Sequence, residues 1–138
     1  MFVVDTVTSG YLRCYSFNFY RTSLLQSLTV FPLRPLTLFT TCYSPAKTLT
    51  YWYRPHNSKT RLPILFIHGI GIGLYPYINF LADLNAQDRE DAVDGQLGII
   101  AVEIMPVSFR ITGEAMMKGE MCERLIAYWK RMVGIRLF

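Results

Sequence analysis

The segment that most constrains the fold is residues 62–81, LPILFIHGIGIGLYPYINFL. Its first seven residues are apolar on both faces as far as His68, which predicts a strand in the centre of a parallel sheet. Glycines then alternate with isoleucines at 69–73, and a segment with helical spacing follows at 74–87. A buried strand, a glycine-rich turn and a helix together are typical of α/β proteins.

Two further apolar segments extend this pattern along the chain. Residues 47–55, KTLTYWYRP, are rich in β-branched and aromatic residues and predict a strand that Pro55 ends. Residues 97–104, LGIIAVEI, predict a second buried strand, and residues 114–132 predict a final helix. Strand, helix, strand, helix is the order of an α/β sheet, for which right-handed crossovers are expected.

The first third of the chain gives a weaker pattern. Residues 1–46 show no clear hydrophobic period and predict a poorly structured apolar arm, which leaves residues 47–138 as the predicted domain. Residues 22–43 are apolar, but Pro32 and Arg34 interrupt them, so no run approaches the ~20 apolar residues that a transmembrane helix needs. The arm is therefore expected to be irregular, or to lie on a membrane surface or pack against a further part of the protein, without crossing the bilayer.

Charge and cysteine content exclude several classes of function. The net charge is +4, but the basic residues of 1–82 are scattered and no recognition motif accompanies them, so no nucleic-acid partner is predicted. Cys14, Cys42 and Cys122 are too few and too scattered for a disulfide framework, which predicts reduced thiols in an intracellular protein. The sequence has no Cys/His cluster of the kind that binds a metal, and no cofactor is predicted.

The glycines at 69–73 could serve three kinds of site. A dinucleotide fingerprint, GxGxxG, needs its third glycine where Leu74 or Pro76 stands. A phosphate loop ends in Gly-Lys-Ser/Thr, but Leu74 and Tyr75 follow Gly73. The third kind is an oxyanion hole, in which backbone N–H groups meet a negatively charged oxygen. A glycine turn without chemistry stays open as the alternative.

The strand and its HG motif, LPILFIHGIGIG, resemble the loop after the third strand of the α/β-hydrolase superfamily. Together with YWYRP and EIMPVSFRIT, the segment is similar to uncharacterised fungal members of that superfamily, over roughly residues 47–127. The resemblance implies a partial α/β-hydrolase sheet with early strands and two helices. It implies Gly69, Ile70 and Gly71 as candidate oxyanion-hole donors and His68 as the residue that braces their loop.

Two features depart from the family pattern. Glu103 and Pro106 match the acid and the proline that often follow the fourth strand, but Val107 stands in place of the next glycine. No serine lies in a GxSxG elbow, so no catalytic residue is assigned. The chain is therefore expected to be the N-terminal part of a serine hydrolase, incompetent alone, whose small ester or acyl substrate belongs to a longer parent. The alternative is a non-catalytic module that contacts a protein or a membrane.

Overall fold

The computed structural model describes residues 1–34, 39–40, 42–45, 49–90, 94–108, 110, 112 and 117–133. The α-helices of these residues are α1 (Phe2–Cys14), α2 (Leu24–Leu28), α3 (Ile78–Glu90) and α4 (Lys118–Val133). Their strands are β1 (Asn18–Tyr20), β2 (Thr50–Arg54), β3 (Ile64–Ile67) and β4 (Ile99–Glu103). The predicted α/β class is confirmed. The predicted strand start at 47 and the predicted helix start at 114–116 lie outside the described residues.

The strands form one mixed sheet in the order β1-β2-β4-β3. β2 runs antiparallel to both of its neighbours, whereas β3 and β4 are parallel. All five residues of β4 are buried. β4 is therefore flanked on both sides and covered on both faces, as its continuous apolar sequence predicts.

β3 lies at the edge of the described sheet, so the prediction of a central strand at residues 62–68 is wrong there. Among the described residues it pairs with β4 alone, and Ile67 is 44% exposed. The reason is that apolar side chains project to the two faces of a sheet, whereas a lateral neighbour is joined through backbone hydrogen bonds. An apolar sequence therefore reports the cover above and below a strand and not the number of strands beside it.

Residues 1–34 form ordered elements, so the prediction of a poorly structured arm is wrong for them. α1 packs against α3 and the turn that precedes it, and β1 pairs with β2. The two predicted parts of the chain, 1–46 and 47–138, thus contribute to one sheet. The helical period was missed because α1 buries a mainly polar face, and a search for buried apolar stripes does not detect such a helix.

No helix within the described residues is both long enough and apolar enough to cross a bilayer.

The core lies on both faces of the sheet, because alternate residues of each strand project to opposite faces. On one face, side chains of α1 and α3 pack on β2 and β4 through Leu12, Leu81, Trp52, Ile99 and Ala101. On the other face, α4 packs on the same two strands through Leu125, Tyr128, Tyr51, Ile100 and Val102. α1 and α4 therefore lie on opposite sides of the sheet.

A buried arginine fixes α3 at the end of the sheet where β4 begins. Arg54 is fully buried and forms hydrogen bonds with Asn85 and Asp88, both on α3. Its Nη2 also donates to the Leu97 carbonyl oxygen at 2.7 Å. Because α3 is tied down here, the loop that joins β3 to α3 is anchored by ordered elements on both sides.

Candidate functional site

The candidate site lies where β3 and β4 end side by side. Because the two strands are parallel, their carboxyl ends lie at the same end of the sheet. Open α/β sheets bind ligands at the carboxyl ends of their strands. At this end of the sheet, residues 68–74 form the loop that follows β3, and a 3₁₀ turn at Met105–Val107 follows β4. The Gly71 N–H donates to the Val107 carbonyl oxygen at 2.9 Å, so the two loops are joined.

His68 holds the first loop against the end of β4, and its side chain is 4% exposed. Its Nε2 accepts a hydrogen bond from the Ile104 N–H at 2.9 Å, so Nδ1 carries the ring proton. Nδ1 in turn donates to the Gly69 carbonyl oxygen at 2.6 Å. Both ring nitrogens are therefore engaged with backbone, which is the geometry of a bracing residue.

The N–H groups of the loop differ in their hydrogen bonding. The Ile64 N–H donates to the Gly98 carbonyl oxygen at 2.8 Å, which fixes the register of β3 on β4, and β3 ends at Ile67, before the loop. Among the described residues, neither the Gly69 nor the Ile70 N–H donates a hydrogen bond, whereas that of Gly71 is bonded to Val107. Of the three predicted donors, Gly69 and Ile70 therefore have no hydrogen-bond partner among the described residues, whereas the prediction of an unpaired Gly71 N–H is wrong.

Ser108 is a residue of this site that the sequence prediction did not assign. Its hydroxyl oxygen is fully buried, lies 3.3 Å from His68 Nε2 and donates to the Ile104 carbonyl oxygen at 2.6 Å. An activated nucleophile directs its proton at its base, but this proton points at a carbonyl, and His68 Nε2 already accepts from an N–H. The signal in the sequence that could have indicated Ser108 is its position shortly after Glu103 and Pro106.

A buried cluster of charged side chains lies behind the site. Arg34 pairs with Glu103 and, at 3.5 Å, with Asp5, while Arg110 pairs with Asp5. Burial alone would lower the pKa of Arg34, but the nearby carboxylates, Glu103 foremost, raise it above its ordinary value. Two arginines and two acids balance, so the Glu103 carboxylate is neutralised where it would otherwise repel an anion. These residues are too far apart in the chain for spacing to reveal the cluster.

Gly73 lies directly against this cluster. Its φ is +74°, and a Cβ at this position would lie 2.8 Å from Glu103 Oε1. An L-residue pays a steric penalty in this left-handed conformation, which glycine avoids. Gly73 therefore provides both the backbone turn and the space that the Arg34–Glu103 pair needs beneath the loop.

Changing Gly73 to alanine is expected to lower the free energy of unfolding by about 1–3 kcal/mol, from the left-handed backbone and the displaced Glu103 carboxylate. Urea unfolding followed by circular dichroism measures it. The matched control is Gly10→Ala in α1, where a Cβ would meet nothing within 4 Å. There alanine is expected to raise the free energy of unfolding by about 0.5–1 kcal/mol. If both substitutions changed the free energy of unfolding in the same direction, the structural role given to Gly73 would be contradicted.

Comparison with models of protein families, with curated proteins and with solved structures found no match. The chemistry of the site therefore rests on its own geometry. Within the described part of the chain, no group of three or more His, Cys, Asp or Glu residues could hold a metal ion. The loop offers two backbone N–H groups without a partner among the described residues, and such donors can bind a negatively charged oxygen.

Proposed function

We propose that this chain forms the oxyanion-loop part of an α/β-hydrolase-like protein that cleaves an ester or another acyl substrate. The observation that carries the proposal is the pair of N–H groups without a partner among the described residues, those of Gly69 and Ile70, on a loop braced by the buried His68. Backbone donors fixed before the substrate arrives stabilise the oxyanion of acyl transfer without reorganisation. α/β-Hydrolases take one such donor from the loop between the third strand and the next helix.

The topology of the sheet also supports the proposal. The loop follows the third strand of the chain and leads into α3, as in the family. The order β1-β2-β4-β3, with β2 alone running against the other strands, is the order in which an α/β-hydrolase sheet begins. This agreement involves long-range strand pairing, so it is independent of the HG motif that suggested the family.

By its own residues, this chain is proposed to bind an acyl oxygen without cleaving the substrate. Acyl transfer needs a nucleophile within hydrogen-bond reach of a base, and the sequence contains no GxSxG elbow. His68 has both ring nitrogens engaged, and Ser108 donates its proton to a carbonyl oxygen. Neither side chain is in a position to begin the reaction.

Titration of the chain with a short alkylphosphonate, an anion that imitates a tetrahedral oxyanion, is expected to shift the amide resonances of Gly69 and Ile70. Amide ¹H–¹⁵N spectra measure these shifts. The internal control is Gly71, two residues along the same loop, whose N–H is already bonded to Val107 and should shift much less. Shifts that are equal at Gly71, or that spread over the whole surface, would contradict an oxyanion site.

In the same preparation, a fluorophosphonate probe for serine hydrolases is expected to leave the chain unlabelled. Stoichiometric labelling would show that a serine is activated, and mass spectrometry would locate it. Labelling would therefore overturn the proposed lack of catalysis, whereas the phosphonate titration would still report on the binding loop.

The proposed parent protein requires a serine-bearing strand after α4. Sequencing the transcript beyond the codon for Phe138 tests this requirement. A downstream GxSxG supports the serine hydrolase, and its absence from every frame would refute it in favour of a non-catalytic module.

A further inference from the structure

Helix α1 packs with its polar face inward. Its buried residues are Asp5, Thr8, Ser9 and Leu12. Asp5 is held there by Arg34 and Arg110, and the Thr8 hydroxyl donates to the Val4 carbonyl oxygen at 2.7 Å. The orientation of α1 is thus set by buried ion pairs, and it directs the apolar side of the helix outward.

The outward face of α1 carries four large apolar side chains. The exposed fractions are 66% for Phe2, 71% for Val3, 38% for Val7 and 45% for Tyr11. Val3, Val7 and Tyr11 are each four residues apart, so they form one stripe along the helix, with Phe2 beside its first turn. We call these four residues the α1 stripe. A contiguous apolar surface on an ordered helix marks a site of contact with an apolar partner or medium.

We propose that α1 lies flat on an anionic lipid surface, with the α1 stripe inserted at the boundary between headgroups and acyl chains. A helix of 13 residues is about 20 Å long, too short to cross the bilayer but long enough to lie in this boundary. Aromatic side chains near both ends, Phe2 and Tyr11, suit the interface. The inference rests on α1 alone and is independent of the candidate oxyanion site.

The charge on α1 selects a negatively charged surface. Asp5, the single acid of the helix, is 3% exposed and paired with arginines, whereas Arg13 is exposed in the last turn. The chain as a whole carries a net charge of +4, and Asp5 is its only acid before Asp83. A helix with an apolar stripe, an exposed cation and no exposed acid is attracted to anionic lipids.

Vesicle flotation of the 138-residue chain tests the proposal. The chain is expected to float with vesicles of phosphatidylcholine and phosphatidylserine, and to float less with phosphatidylcholine alone or at high salt. Val3→Glu is expected to reduce partitioning by about tenfold, because it places a carboxylate in the apolar boundary. Phe2→Ser is a second variant of the stripe, and circular dichroism verifies that each variant is folded.

The matched control is Ile126→Glu, which replaces another exposed apolar residue with the same charge. Ile126 is 52% exposed on α4, on the opposite side of the sheet, so its replacement is expected to leave partitioning unchanged. Equal losses in Val3→Glu and Ile126→Glu would overturn the proposal, as would failure of the unmodified chain to float. A lipid-free dimer that Val3→Glu dissociates would also overturn it, because the stripe would then cover a second copy.

Discussion

Replacing Arg34 with methionine is expected to lower the free energy of unfolding by about 3–5 kcal/mol, since it leaves charged groups buried without a partner. Arg34 is 4% exposed and is the residue that pairs with the Glu103 carboxylate in the cluster behind the candidate site. Without the guanidinium, the buried Glu103 carboxylate loses the cation with which it pairs. Chemical denaturation at neutral pH measures the loss.

Two further variants give this prediction its controls. Arg34→Met combined with Glu103→Gln removes both charges of the pair and leaves Asp5 with Arg110, so it is expected to recover much of the loss. Arg13→Met removes an exposed arginine of α1 and is expected to change the free energy of unfolding by no more than about 0.5 kcal/mol. An Arg34→Met effect as small as that of Arg13→Met would contradict the buried cluster.

Replacing Trp52 with alanine is expected to lower the free energy of unfolding by about 3–5 kcal/mol, because it removes the largest fully buried side chain of the core. Trp52 lies on β2, where its ring centroid is 5.1 Å from that of Phe19 on β1. The substitution therefore opens a cavity beneath α1 and weakens the pairing of β1 with the sheet. Thermal and urea unfolding both report the loss.

The comparison for Trp52 is Trp129, which lies partly exposed on α4. Trp129→Ala removes the same atoms from a site that solvent already reaches, so its effect is expected to be about 1 kcal/mol. Hydrogen exchange adds a specific readout, since Trp52→Ala should reduce the protection of the β1 amides more than Trp129→Ala does. Equal losses in stability would mean that β1 and Trp52 do not form the core described above.

Elements stabilised by their own local pattern were predictable. The predicted strands at 62–68 and 97–104 enclose β3 and β4. All five residues of β4 are buried, as its continuous apolar sequence predicts, whereas those of β3 are only partly buried or exposed. The helix predicted at 74–87 instead begins with a 3₁₀ turn at Tyr75–Tyr77 and continues to Glu90. Its last turn contains Asp88, which Arg54 holds in the core, so a partner distant in sequence extended the helix.

Features set by distant residues were not predictable. α1 owes its place to ion pairs between Asp5 and two arginines, so its buried face gives no apolar period. At the site, the HG motif indicated the loop and His68 because the residues of the motif and those of the loop are the same consecutive residues. The hydrogen bond from the Gly71 N–H to Val107 and the contact of Ser108 with His68 form where two loops meet. The spacing of residues along the sequence does not show which loops meet.

The pair between Asp5 and Arg110 has a consequence for the timing of synthesis. The two residues are 105 positions apart, so Asp5 leaves the ribosome long before its partner has been made. At typical translation rates this interval is roughly 5–20 s, which is long compared with the formation of a helix. During that interval the nascent α1 lacks one of the two ion pairs that fix its orientation, that with Arg110. Docking of the first helix is thus expected among the last events in the maturation of the chain.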